Sequence, residues 1–231
     1  MYTHRSGFTS SHTPTRPTRR TPMQIAIIGA GAVGSAVTRA VTSVGHDAVV
    51  AARTDEKLTP LAEELGVRTT TSNAEAVTGA DAVVLAVPFD DAVEVVSQLG
   101  DALRDTIVVD ATNPLAADLS GLSVTDTSGA EEIQRANPGA RVVKAFNTVF
   151  ASNQADPQVD GAPLDGFVAG DDAEAKQTVS DLLAAVGYRP IDVGGLPAAR
   201  HLEGMAFLNI ALNATGGWAW QSGWKLVGPT G

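Results

Sequence analysis

Gly29-Ala30-Gly31-Ala32-Val33-Gly34 limits what this chain can fold into more than any other stretch. It follows an apolar run, Gln24 to Ile28, and opens a segment of helical periodicity from Gly31 to Val44. In that context each glycine has a task. The first makes a tight strand-to-helix turn, the second lets the backbone approach a pyrophosphate, and the third lets helix pack on strand. The N-terminus of the helix then turns unpaired amide donors and a positive dipole end toward the phosphates. The alternative, a tight turn without a ligand, requires none of this spacing.

The rest of the chain repeats the alternation. Short runs rich in β-branched residues at 47–52, 67–69, 82–87, 107–110 and 142–146 read as strands, and 55–65, 89–100 and 130–136 as helices. The strands are apolar almost throughout, as in a parallel sheet covered on both faces. A further strand, helix and strand at 165–170, 173–185 and 189–193 precede a last helix expected from Pro197 to Trp220. The expected fold is α/β: a Rossmann-type doubly wound parallel sheet with a small C-terminal α/β elaboration ending in a long helix. The expected division is a disordered tail at 1–22, a nucleotide-binding domain at 23–150 and a C-terminal elaboration at 151–231. The tail reading rests on Ser, Thr, Pro and four Arg with no acid, a composition too polar to bury a core. Met23 offers an alternative start. The loop from Ala151 to Pro163, rich in Pro, Asp and Gly, reads as a surface excursion.

Composition removes several chemistries. With no cysteine there is no thiolate nucleophile, disulfide or thiolate zinc site, and four scattered histidines form no expected metal cluster. A net charge of −10 argues against nucleic acid, and no apolar run is long enough to span a membrane. The expectation is a soluble, cytoplasmic protein. Seventeen Asp against four Lys also fits a protein from high-salt cytoplasm, a halophilic reading, or simply an acidic enzyme.

The end of the second strand separates the two nicotinamide dinucleotides, because a carboxylate there binds a ribose hydroxyl and a cation binds a 2′-phosphate. This strand ends Ala51-Ala52-Arg53-Thr54. Arg53 offers a planar fork for phosphate and Thr54 a hydroxyl, which favours NADP(H); the alternative is a solvated Arg53 with Asp55 turned inward. A second substrate belongs at the carboxyl ends of the later strands. Candidates there are Val87-Pro88-Phe89, either as cofactor border and aromatic wall or as a proline ending the strand and a phenylalanine packing on the next helix, and Asn113, Asn147 and Thr148. The two amides either hold a nicotinamide carboxamide or a substrate carbonyl, or are turn residues. Lys144 inside an apolar run reads as an edge-strand residue before it reads as catalytic. His201 reads as a helix-surface residue, and Arg200 and Glu203 as a pair on one helix face.

The blocks IAIIGAGAVGSAV, VVAAR, ADAVVLAVPF, VVDATNP, GARVVKAFNTV, GFVAGDD, YRPIDVGGL and ARHLEGMAFLNIAL, in that order, resemble the NADPH-dependent coenzyme F420 reductases. The resemblance implies direct hydride transfer between NADP(H) and a deazaflavin or flavin-like acceptor. It places the phosphate loop on Gly29 to Gly34, the 2′-phosphate contact on Arg53 and Thr54, and the ring-stacking cleft on 87–89 and 146–148. No catalytic acid or base is implied. Two other readings remain: an NADPH-dependent imine or ketone reductase, and a non-catalytic NADP(H)-sensing module presenting Trp218, Trp220 and Trp224 to a partner. Those aromatics otherwise cap the core or a homodimer interface.

Overall fold

The structure, a computed structural model, describes residues 22–228. The expected tail therefore lies outside the described residues, apart from Pro22. From Gln24–Ile28 (β1) the chain enters Ala32–Ser43 (α1), Asp47–Ala51 (β2), Asp55–Leu65 (α2), Arg68–Thr70 (β3), Asn73–Val77 (α3) and Ala82–Leu85 (β4). Phe89–Leu99 (α4), Ile107–Asp110 (β5), Gly129–Ala136 (α5) and Arg141–Lys144 (β6) complete the doubly wound part. Beyond it lie a small hairpin, Gln158–Val159 (β7) and Ala162–Pro163 (β8), then Asp165–Gly170 (β9), Ala173–Val186 (α6), Arg189–Asp192 (β10) and Ala199–Gly216 (α7).

The large sheet has the order β10-β9-β6-β5-β4-β1-β2-β3. Strands β1 to β6 are parallel; β9 joins β6 antiparallel, and β10 runs parallel to β9. The C-terminal elaboration thus extends the same sheet. Strand alternation sorts the core into two layers: Ile25 and Ile27 face α1, α2 and α6, whereas Ala26 and Ile28 face α3, α4 and α5. A third cluster joins Phe167 and Ala169 of β9 to Leu202 of α7, with Trp224 packed beside it.

The elements differ from the sequence expectations in one boundary and two additions. The last helix ends at Gly216, because Gly217 turns left-handed (φ 63°) and returns its amide to Asn213. The tail then folds back: the Trp224 carbonyl accepts from the Asp165 amide, and Asn209, Asn213 and Ser222 share hydrogen bonds. The excursion after Ala151 contains the β7–β8 hairpin. The short helix α3, capped by the Ser72 hydroxyl, has too few residues to show a period in sequence.

The largest correction concerns Lys144. Strand β6 lies between β5 and β9, so Lys144 is not on an edge, and its side chain is fully buried. Its ammonium donates to Asp110 Oδ2 (2.8 Å), the Thr112 carbonyl (2.7 Å) and Glu203 Oε1 (2.8 Å). Asp110 is its register partner on β5. Glu203, also buried, accepts from the Gly129 amide (3.0 Å) and the Ala130 amide (3.4 Å) at the start of α5. One cation, two carboxylates and a helix N-terminus therefore balance one another in a dry interior. Glu203 is unavailable to Arg200, which instead makes a bidentate pair with Glu131 (2.8 and 2.6 Å). Glu131 closes a capping box with Ser128, so the same carboxylate starts α5 and ties it to α7.

Replacing Lys144 with Met leaves two buried carboxylates facing each other and is expected to cost about 3–5 kcal/mol in urea unfolding; a loss below about 1 kcal/mol contradicts the network. Glu131 gives a pH signature. The Arg200 hydrogen bonds, helped by Ser128, lower its pKa from 4.5 to about 2 against the opposing effect of burial. A depressed folded-state pKa means that its contribution is present above about 4.5 and disappears as pH falls toward about 2. Glu131→Gln is expected to flatten the stability profile across that window and to change its slope little above it.

Candidate functional site

The strand order reverses between β1 and β4, and the crevice that opens there at the carboxyl ends of the strands is where an open α/β sheet takes its ligands. The glycine loop forms its floor. Gly29 has φ +115°, and a Cβ there would lie 2.4 Å from the Ala86 carbonyl oxygen, so only glycine makes this turn beside β4. A Cβ on Gly34 would sit 1.8 Å from the Gly29 carbonyl oxygen, which is what lets α1 press against the turn. Gly31 differs: a Cβ there would meet nothing within 4 Å. As N-cap of α1 it offers no side-chain acceptor to the first amides of the helix.

The main cleft, about 510 Å³, runs from this loop across the end of β2. Gly29, Ala30 and Gly31 line one side, Arg53 and Thr54 another, and Val87 with Pro88 a third. Arg53 is largely exposed and lies 3.6 Å from Asp91, a contact too long and too wet to hold it firmly. Thr54 caps α2 by backbone alone, leaving its hydroxyl without a capping bond. Sequence reasoning passed over Lys57, Asn73 and Asp91, which also line the cleft. The signal for Lys57 was present: it is in the first turn of α2, four residues after Arg53.

Phe89 does not line this cleft. Its ring packs against the start of α5, 3.1 Å from where a Gly129 Cβ would be, so the aromatic-wall expectation is corrected to the packing one. Ala32 and Gly34 belong to the first turn of α1, Ala32 exposed and Gly34 buried.

A smaller cavity of about 150 Å³ adjoins the first turn of α1 at Val33. It is lined by Ala111 and Asn113 after β5, by the turn 146–151 after β6, and by Ala206, Asn209 and Ile210 of α7. None of its lining side chains is ionisable. The structure thus brings Asn113, Asn147 and Thr148 together, as expected for the ends of adjacent strands. His201 is exposed on α7 and lines neither cavity. The turn is held in an uncommon conformation: Phe146, buried, has φ 64°. Fully buried Gln154 donates to the carbonyls of Phe146 (2.8 Å) and Val149 (2.9 Å), and its own oxygen accepts from the Tyr188 hydroxyl (2.6 Å). Burial pushes the Tyr188 phenol well above its ordinary pKa, which keeps it a donor. Among the described residues no cluster suits a metal ion, and no helix is long and apolar enough to cross a membrane.

Residues 24–114 match the family model for coenzyme F420-dependent NADP oxidoreductases. The chain is 30% identical over 209 residues to the F420-dependent NADP reductase of Methanothermobacter thermautotrophicus, covering 83% of this chain and 89% of that one. It is also 30% identical over 181 residues to rat metalloreductase STEAP3, spanning 78% of this chain but only 36% of the length of that protein. Among solved structures, an Arthrobacter sp. FB24 protein provisionally assigned as an F420-dependent NADP reductase superposes with a TM-score of 0.82 at 31% identity, covering 89% of this chain and all of the other.

The two close glycines and the open one predict different outcomes. Gly34→Ala is expected to lose about 1–3 kcal/mol or more in denaturant unfolding through overpacking. Gly31→Ala, with free space around its Cβ, is expected to stay within about 0.5 kcal/mol of the parent. Equal losses at both positions contradict the distinction between a packing glycine and a ligand-facing one.

Proposed function

The chain belongs to the coenzyme F420-dependent NADP oxidoreductase family, and we propose that it transfers a hydride between NADP(H) and a deazaflavin of the F420 type, or a flavin-like ring. It is an NADP-dependent oxidoreductase. The residues present suit the dinucleotide: an uncapped helix N-terminus at Gly31, open space where that glycine has no side chain, and Arg53 at the end of β2 with no acid before Asp55. In this reading the amides at 31–34 hold the pyrophosphate. Arg53 and Thr54, joined by Lys57, hold the 2′-phosphate, and Ala30, Val87 and Pro88 flank the chain between them.

The observation that carries the choice of acceptor is the small cavity without an ionisable lining side chain. Reduction of a ketone or imine calls for a proton donor beside the reacting carbon, whereas hydride transfer between two flat rings calls mainly for orientation. When bound, NADPH supplies the hydride. The protein's part is to hold the rings against Val33, Asn113, Asn147 and Thr148 and to exclude water with the apolar side chains Phe146 and Ile210. Exposed Leu208, Leu212, Trp218 and Trp220, on and just after α7, favour a homodimer whose second copy covers this helix.

The test is oxidation of NADPH and, in parallel, NADH, followed at about 340 nm with F420 or FMN as acceptor, at high and low salt. NADPH with F420 is expected to turn over fastest. Arg53→Ala is expected to weaken NADPH by about 10- to 100-fold and leave NADH nearly unchanged, since only the phosphate contact is lost. Tight NADPH binding without reduction of either acceptor removes the acceptor assignment and leaves an imine reductase or a sensor.

A further inference from the structure

Asn147, one of the residues that line the smaller cavity, carries a buried side-chain oxygen with no hydrogen-bond partner, Oδ1. Asn147 is only 7% exposed, so this is not a group left to solvent. Its orientation is fixed by two hydrogen bonds with Asn113. The backbone carbonyl of Asn147 accepts only hydrogen bonds, so the side-chain atom of Asn113 that meets it at 3.1 Å is the amide nitrogen. The oxygen of Asn113 must then face Asn147, and it accepts from Asn147 Nδ2 at 3.0 Å. What remains is Oδ1 of Asn147, an acceptor with neither freedom to flip nor a donor within reach.

The surrounding turn makes that vacancy specific. The Phe146 and Val149 carbonyls on either side are both satisfied by Gln154, and Gln154 is in turn held by Tyr188. Phe146 is held at positive φ immediately before Asn147. A buried acceptor left open costs stability, and strain of this kind persists where the surrounding structure over-determines it.

Resting on the NADP(H) reading above, we propose that Asn147 Oδ1 is the acceptor for the carboxamide NH₂ of the nicotinamide ring, with Asn113 as the positioning residue that aims it. The cavity adjoins the first turn of α1 at Val33, the side of the helix that follows the phosphate loop. An acceptor-only atom also rejects a substrate carbonyl, so of the two roles open to this asparagine the geometry points to the donor-recognising one.

The test compares the binding of NADP⁺ with that of its 3-acetylpyridine analogue, in which a methyl group replaces the carboxamide NH₂. Dissociation constants are read by calorimetry on the full chain without turnover. The unmodified protein is expected to prefer NADP⁺ by about 5- to 100-fold, the range for leaving a buried acceptor unpaired. Asn147→Ala is expected to bring that ratio close to one, and Asn113→Ala to lower it part of the way. Equal binding of the two nucleotides by the unmodified protein overturns the assignment whether or not either variant folds. So does a preference that survives in Asn147→Ala with both affinities lowered alike, which marks the residue as structural. If the nucleotide ratio is near one and Asn147→Ala instead weakens F420, the acceptor serves the ring imide of the deazaflavin, and the carboxamide assignment is wrong. Failure of NADP⁺ to bind at all overturns the cofactor reading itself, and this assignment with it.

Discussion

The buried contact of Lys144 with Asp110 and Glu203 fixes the relation between the nucleotide-binding half and the C-terminal helix. Charges taken out of water are tolerated only when every lone pair and proton finds a partner, and here they do: three acceptors around the ammonium, backbone amides on both carboxylates. A hydrophobic substitute of equal volume would pack as well but would allow α7 to slide. The ionic version permits one register, because Glu203 must meet both Lys144 and the start of α5. That register presents Ala206, Asn209 and Ile210, on the following turns of α7, to the small cavity. The structural charge cluster and the wall of the small cavity are thus successive parts of one helix.

Much of the doubly wound sheet was legible because each strand is an uninterrupted apolar run and the glycine loop marks where the first one turns. What sequence could not reveal depends on contacts between distant residues. Lys144 and Glu203 are 59 residues apart, and nothing local distinguishes a buried, paired lysine from one on a strand edge. The length of α7 was misjudged because it is apolar on most faces, so it has no polar stripe to mark where burial stops. Its end is set by Gly217 and by Asn213, whose side chain joins Asn209 and Ser222 of the returning tail. The candidate site divides in the same way. Arg53 was legible from its place at the end of β2, whereas the misassignment of Phe89 arose because the residue after a strand can face either layer, and only the position of Gly129 decides which.

The two cavities also divide the chemistry of recognition. The large cleft is built from backbone amides and exposed cations, groups that attract phosphate from a distance and leave the ligand free to settle. The small cavity has the opposite character, with apolar walls, no ionisable lining side chain and one fixed acceptor.

For a reaction between two flat rings, that division has a physical reason. No bond to the protein forms, and the one proton taken up with the hydride goes from solvent to a ring nitrogen of the acceptor, so rate depends on how narrowly the reacting atoms are held. Narrow positioning requires a wall that does not relax when the ligand arrives. The turn after β6 meets that requirement through redundancy: Gln154 ties two of its carbonyls, Tyr188 ties Gln154, and the Asn113–Asn147 pair closes the other side. A looser turn would relieve the strain at Phe146 and pair the open oxygen of Asn147 internally, gaining stability in the empty protein. That gain would be lost again on binding, because the turn would have to reopen to meet the ring. Keeping the acceptor unpaired moves the cost of organisation into folding, where the Lys144 network and the two core layers can carry it, and away from the encounter with a ligand.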